Sequence, residues 1–212
     1  MKLYYSPGAC SLSTRIVLHE AGIAAEFERV DVRSKITDTG RDYTAINPKG
    51  SVPLLVLDDG QALTENVAIL DFLAQRAPKF GLEGSLGRTR MIEMLSFLST
   101  ELHIAFKPFF HSAPDLEKAA ASETASRWLD LLTEQIGGEY LFGERFTVAD
   151  AYLFAMLRWA RAFDVQMQPA MSDYFERLGL RPAVRRSLVE EGLTVPAAHH
   201  GKTIPVSAIT AA

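Results

Sequence analysis

The sequence predicts an α/β region followed by an all-helical region, and three observations carry that expectation. Leu3, Tyr4 and Tyr5 end at Ser6-Pro7-Gly8, and Leu12, Ile16 and Val17 then recur at helical spacing, which reads as strand, turn and helix. Residues 26–32 alternate polar and apolar, and residues 51–57 form a β-rich run before the hairpin signal Asp58-Asp59-Gly60. Beyond Pro78, Gly81, Gly84 and Gly87 the only periodicity left is helical. The boundaries are therefore 1–77 for the first domain, 78–88 for a linker and 89–212 for the helical domain, with an irregular tail from about 194.

In chain order, the first helix starts near the chain's one cysteine, Cys10, and stops at Gly22. The strand at 26–32 follows, and residues 33–50 read as irregular, ending in the turn Asn47-Pro48-Lys49-Gly50. Pro53 stands at the mouth of the next strand, where its missing N–H is tolerable. Two readings stay open there: a strand-start proline, or a cis turn that leaves the Val52 backbone to pair with an extended ligand. A helix over 65–77 carries Ala68, Ile69, Phe72 and Leu73 on one face. The helical region holds four segments. Residues 89–106 carry the stripe Met91, Leu95, Leu98 and Leu102, and Pro108 ends or kinks that helix. Residues 117–136 stop at Gly137-Gly138, residues 148–163 begin with the capping box Thr147 to Asp150, and residues 172–192 are helical around Tyr174-Phe175.

Composition narrows the class. A chain of 212 residues, 48% hydrophobic and 23% charged, can bury an ordinary globular core. A net charge of −4 without a basic stripe gives no reason to expect nucleic acid or an anionic membrane as partner. No apolar run reaches the roughly 20 residues of a membrane helix, no leader is visible, and one cysteine makes no internal disulfide, so the expected compartment is the cytoplasm.

The chemistry centres on Cys10. A cysteine at a helix amino end meets unpaired N–H groups and a positive dipole, which can lower its pKa from about 8.5 to about 3.5–7.5. The bland reading is a small buried apolar residue. The polar entrance Ser11, Ser13 and Thr14 favours the reactive reading, and the same N–H groups suit an anionic ligand. No resolving cysteine exists, so any thiol cycle needs an external thiol. Read alone, Glu65 is a first-turn acid and Lys35 a surface lysine. His103 and Lys107 share a helix face, and Phe106, Phe109, Phe110 and Trp159 are apolar bulk nearby. His19, His111, His199 and His200 show no ligand spacing, so no metal is expected.

These residues coincide with a known pattern. Tyr5-Ser6-Pro7-Gly8-Ala9-Cys10-Ser11, Asn47-Pro48-Lys49-Gly50 with Val52-Pro53, Thr64-Glu65-Asn66, Glu101-Leu102-His103 and Phe146-Thr147-Val148-Ala149-Asp150 resemble the glutathione S-transferases, most closely the bacterial beta class. The resemblance implies a thioredoxin-like first domain, an all-helical second domain and a homodimer. It implies glutathione as co-substrate, held by Cys10, Lys35, Val52, cis Pro53, Glu65 and Asn66, with Ser96 and Glu101 reaching the partner's ligand. It also implies catalytic roles for Cys10 or Ser11, one of which gives the hydrogen bond to the sulfur, and for His103, which lines the site from the helical domain, with a pocket for hydrophobic electrophiles walled by Ala9, Phe106, Phe109, Phe110 and Trp159. Conjugation of the glutathione thiolate to such an electrophile is the expected reaction. The rivals are a monothiol reductase or dehalogenase working through a Cys10 mixed disulfide, and a non-catalytic carrier of glutathione or hydrophobic ligands.

Overall fold

The computed structural model describes residues 1–111 and 113–194. The predicted irregular tail beyond Thr194, with His199 and His200, lies outside them. Five strands, β1 (Lys2–Tyr5), β2 (Glu26–Asp31), β3 (Ile36–Thr37), β4 (Leu54–Val56) and β5 (Ala62–Thr64), form one mixed sheet in the order β3-β2-β1-β4-β5. β1 runs parallel to β2 and antiparallel to β4, so Leu3 lies between Phe27 and Leu55. The period-2 alternation of β1 sorts the sheet into two faces. Leu3 and Tyr5 join the large core with α1 (Ser11–Ala21) and α2 (Asn66–Arg76), while Tyr4 joins a smaller cluster with Val30, Tyr43 and Leu54.

Tyr43 explains one correction. Residues 33–50 are not wholly irregular: β3 pairs with β2, and a 3₁₀ turn at Tyr43–Ala45 presses Tyr43, fully buried, onto the back of the sheet. The predicted strand at 51–57 shortens to β4, and the Val52–Pro53 peptide just before it is cis.

The remaining helices are α3 (Gly87–Phe97), α4 (His103–Ala105), α5 (Lys107–Phe110), α6 (Asp115–Gln135), α7 (Val148–Ala162), α8 (Pro169–Gly179) and α9 (Pro182–Glu190). The single helix predicted over 89–106 is interrupted. A π-helical turn occupies Leu98–Leu102, closed by the His103 N–H on the Leu98 carbonyl, and it shifts the following residues around the axis. Pro108 then starts a separate helix, having no N–H to continue the previous one. The region predicted over 172–192 is likewise two helices, divided before Pro182.

Helix α7 is buried on every side except Arg161, as the central element of such a bundle must be. It packs against α1 and thereby joins the bundle to the sheet layer. Its capping box is present, and Asp150 carries more than the box requires. Its carboxylate takes the Thr147 N–H at 2.7 Å, the Thr147 hydroxyl at 2.6 Å, the Leu141 N–H at 2.9 Å and the Tyr174 hydroxyl at 2.5 Å. Among the described residues no helix is long and apolar enough to cross a membrane.

Candidate active site at two helix amino ends

Cys10 is the N-cap of α1, and Asn66 is the first residue of α2. The side chains at these two ends touch. The Asn66 carbonyl oxygen accepts from the Thr14 hydroxyl at 3.1 Å, and its amide donates at 3.0 Å to Ser13 Oγ, whose own proton goes to the Cys10 carbonyl at 2.6 Å. Two positive helix ends therefore converge on one place, an arrangement that favours an anion. The thiol of Cys10 donates to the Val52 carbonyl, 3.6 Å away, across the cis-proline loop.

The thiol itself corrects the sequence expectation. Its pKa is not depressed; burial pushes it up to about 12, against the pull of the backbone N–H groups of Cys10 and Ser11. The magnitudes explain the sign: a helix end contributes about 0.3–2 kcal/mol, whereas full desolvation moves a group by up to about 3–5 pKa units, each worth about 1.4 kcal/mol. Glu65 and Glu191 add further upward pressure. Ser11 is also placed differently from the expectation at the sulfur. Its buried hydroxyl is engaged with both the N–H and the carbonyl of Ser6 at 3.3 Å, inside the β1–α1 turn.

Two predicted ligand residues adopt costly backbone. Among the described residues only Lys35, Glu65 and Asp164 are non-glycine residues at positive φ, with Lys35 at 59° and Glu65 at 68°. Such conformations cost about 1–3 kcal/mol and gather at ligand clamps. The Lys35 ammonium donates to the Gly50 carbonyl at 2.8 Å, and a Cβ on Gly50 would press on that lysine at 3.4 Å. The Glu65 carboxylate is largely exposed and pairs with Lys49 at 2.5 Å. The Asn66 side chain, expected to hold ligand, ties α1 to α2.

On the helical side, Nδ1 of His103 lies 2.9 Å from the Tyr152 hydroxyl, and its ring centroid 4.8 Å from that of Trp159. Burial, aided by Lys107, lowers the His103 pKa to about 4, so the ring is neutral at ordinary pH. Lys107 itself is exposed. The expected aromatic wall divides. Ala9, Phe106 and Trp159 are fully buried core, and the Trp159 indole donates to the Gly8 carbonyl at 2.7 Å. Phe109 and Phe110 are part-exposed, Phe109 stacking on Phe163 at 4.7 Å and Phe110 meeting Trp159 edge-on at 5.0 Å. Ser96 is half-buried and Glu101 exposed, on the outer side of α3 and the π-helical turn.

The sequence reading missed a buried ionic cluster behind the thiol. Glu191, just past α9, accepts the Gly8 N–H at 2.8 Å and lies 3.1 Å from Arg15 Nε. The Arg15 guanidinium is sandwiched between the rings of Tyr5 and Phe27 at 4.1 and 4.0 Å, and reaches Glu190 at 2.9 Å. Gly8, at φ 72°, is thus gripped on its N–H by Glu191 and on its carbonyl by Trp159, two residues before Cys10. The available signal was an arginine embedded in each of two apolar helix faces, Arg15 beside Ile16 and Arg158 between Leu157 and Trp159. Among the described residues no group of three or more His, Cys, Asp or Glu stands in position to hold a metal ion.

A family model described as glutathione S-transferase, N-terminal domain, matches residues 8–76, and one described as glutathione S-transferase, C-terminal domain, matches residues 97–182. A protein named glutathione S-transferase GstA, from Escherichia coli, is 41% identical over 200 residues, covering 91% of this chain and 100% of that protein. A sphingomonad glutathione S-transferase solved in complex with glutathione superposes with a TM-score of 0.85 at 43% identity, over 92% of this chain and 100% of the other. A beta-class glutathione S-transferase from Sphingomonas chungbukensis gives a TM-score of 0.83 at 41% identity, covering 91% and 99%.

Proposed function

The chain belongs to the glutathione S-transferase family, and from that premise we propose that it conjugates the thiolate of glutathione to hydrophobic electrophiles. The observation that carries the reading is the convergence of the amino ends of α1 and α2 beside the Val52 carbonyl. Glutathione brings two carboxylates, an ammonium and a sulfur that must become anionic, and this place offers partners for that set. Glu65 is the acid for the ammonium, displacing Lys49 from it, and Lys35 is the cation for the glycine carboxylate. The backbone of Val52 meets the cysteine residue of the tripeptide, and the first N–H groups of α1 favour the thiolate.

In this reading Cys10 acts as a neutral donor. A thiol raised to about 12 keeps its proton at ordinary pH, so its S–H can turn from the Val52 carbonyl to the glutathione sulfur. The same protonation argues against the rival reductase, whose first step needs a Cys10 thiolate. Phe109 and Phe110 are the part-exposed members of the aromatic group and form the wall for the electrophile. The work of the site is then to lower the pKa of the ligand's thiol and to hold both reactants in reach. We further propose a cytoplasmic homodimer in which Ser96 and Glu101 face the partner, an assembly that hydrodynamic mass in solution tests.

Steady-state kinetics with a model aryl halide test the activity. Saturation in glutathione, and a kinetic pKa below that of free glutathione, are expected; turnover no higher than background would overturn the assignment. After treatment with oxidised glutathione, intact-mass spectrometry should find no stable adduct on Cys10, and a stoichiometric adduct would favour the reductase.

A further inference from the structure

The hydrogen bond between Tyr152 and His103 has a direction that its surroundings fix. Tyr152 stands on α7, 1% exposed, with its hydroxyl 2.9 Å from His103 Nδ1 at the end of the π-helical turn. The side chains of Ser99 and Asn66 also lie near that hydroxyl. The imidazole nitrogen is the partner within hydrogen-bond distance and far the most basic acceptor there, and a phenol is a stronger donor than a neutral imidazole, so the nitrogen takes the phenol proton.

We propose that Tyr152 is a positioning residue that holds His103 as the tautomer protonated on Nε2, so that the histidine offers a neutral N–H donor and not a base. The groups acting on the pair leave this intact: Cys10 keeps its proton, Glu65 acts on Tyr152 in the direction that holds the phenol neutral, and Lys107 opposes a charged imidazolium. Trp159, against the His103 ring, has its one N–H committed to Gly8. The consequence for rate rests on the glutathione reading: a histidine held this way stabilises developing negative charge and does not collect the thiol proton.

Nitrogen-15 NMR of the histidine-labelled full-length protein reads the tautomer directly. The His103 signals should show an unprotonated Nδ1 and a protonated Nε2 in the wild type, and a mixture of tautomers in Tyr152→Phe. In the same variant kcat should fall about tenfold with KM for glutathione little changed, as expected for one lost charge-orienting hydrogen bond. A wild-type His103 protonated on Nδ1 would overturn the proposal, as would an unmoved tautomer in Tyr152→Phe. Should that variant not fold, the wild-type spectrum alone decides. Because the spectrum is taken without ligand, a protein inactive with glutathione would sink the transferase reading while the tautomer is still judged on its own signals.

Discussion

Two buried carboxylates organise two regions of this molecule in opposite ways. Asp150, inside the helical bundle, receives four hydrogen bonds, all from neutral donors, and pairs with no cation among the described residues. Glu191, at the seam between the bundle and the Cys10 loop, receives one N–H from Gly8 and otherwise faces arginines. Its Oε1 is near enough to Arg15 Nε for an ion pair, at 3.1 Å, yet is aligned with no hydrogen-bond donor among the described residues. Burial raises the pKa of both acids. The difference lies in what each one holds: Asp150 ties a loop and α8 to the start of α7, whereas Glu191 ties the bundle to the peptide two residues before the thiol. Asp150 is held by neutral donors alone, whereas Glu191 is held by one N–H and by charge.

The sharpest break of that contrast is Asp150→Ala. It would leave two buried backbone N–H groups and two hydroxyls without their acceptor, at a cost of about 3–5 kcal/mol, since each unsatisfied buried donor costs about 1–3 kcal/mol and relaxation recovers part. Chemical denaturation should show the loss without any selective change in KM for glutathione. A loss below 1 kcal/mol would mean the four bonds are ornamental.

Glu191→Gln probes the other side, through pH. The Glu191 carboxyl is pushed up to about 7, mostly by burial, against Arg15, the Gly8 N–H and Arg158. The folded protein therefore keeps this proton over a range, from about 4.5 to about 7, where the unfolded chain has released it. Since the native state binds more protons there, stability from this group is complete below about pH 4.5 and is lost as pH rises through about 7. The glutamine stays neutral throughout. The difference in unfolding free energy between wild type and Glu191→Gln should thus move against the wild type by about 3 kcal/mol across that window. A difference constant with pH would show that Arg15 keeps the acid ionised.

The contrast also explains what the sequence made legible. The α/β region, the helical region and the capping box follow from local rules or from motifs, and those signals are contiguous in the chain; the positive φ of Glu65 and Lys35 was not among them. The hub at Asp150 was half visible, because Thr147 lies three residues away while Leu141 and Tyr174 join it only through tertiary packing. The protonation of Cys10 was not visible, since dipole and burial oppose each other and only the coordinates say how complete the burial is. The roles of Trp159, Tyr152 and Glu191 depend on contacts across more than 40 residues, and a stripe of apolar periodicity does not distinguish a packing tryptophan from one that holds the Gly8 carbonyl.

The smallest expected effect is the most discriminating in sign. Arg158 is 1% exposed, and none of its three guanidinium nitrogens has a hydrogen-bond partner among the described residues. Burial lowers its pKa to about 10, with Glu191 acting the other way. A guanidinium in that position loses its hydration and regains only a longer-range attraction, so replacing it with a side chain of similar length and no charge should cost little. Arg158→Met should change stability by no more than about 1 kcal/mol, on the stabilising side, because an apolar isostere of a poorly paired buried ion is often neutral or better. Combined with Glu191→Gln, the coupling energy should stay under about 0.5 kcal/mol if Arg15 is the acid's main cation. A loss above about 2 kcal/mol in Arg158→Met, together with strong coupling, would instead make Arg158 the true partner of Glu191 and place the ionic hub among the structural ones, where Asp150 already stands.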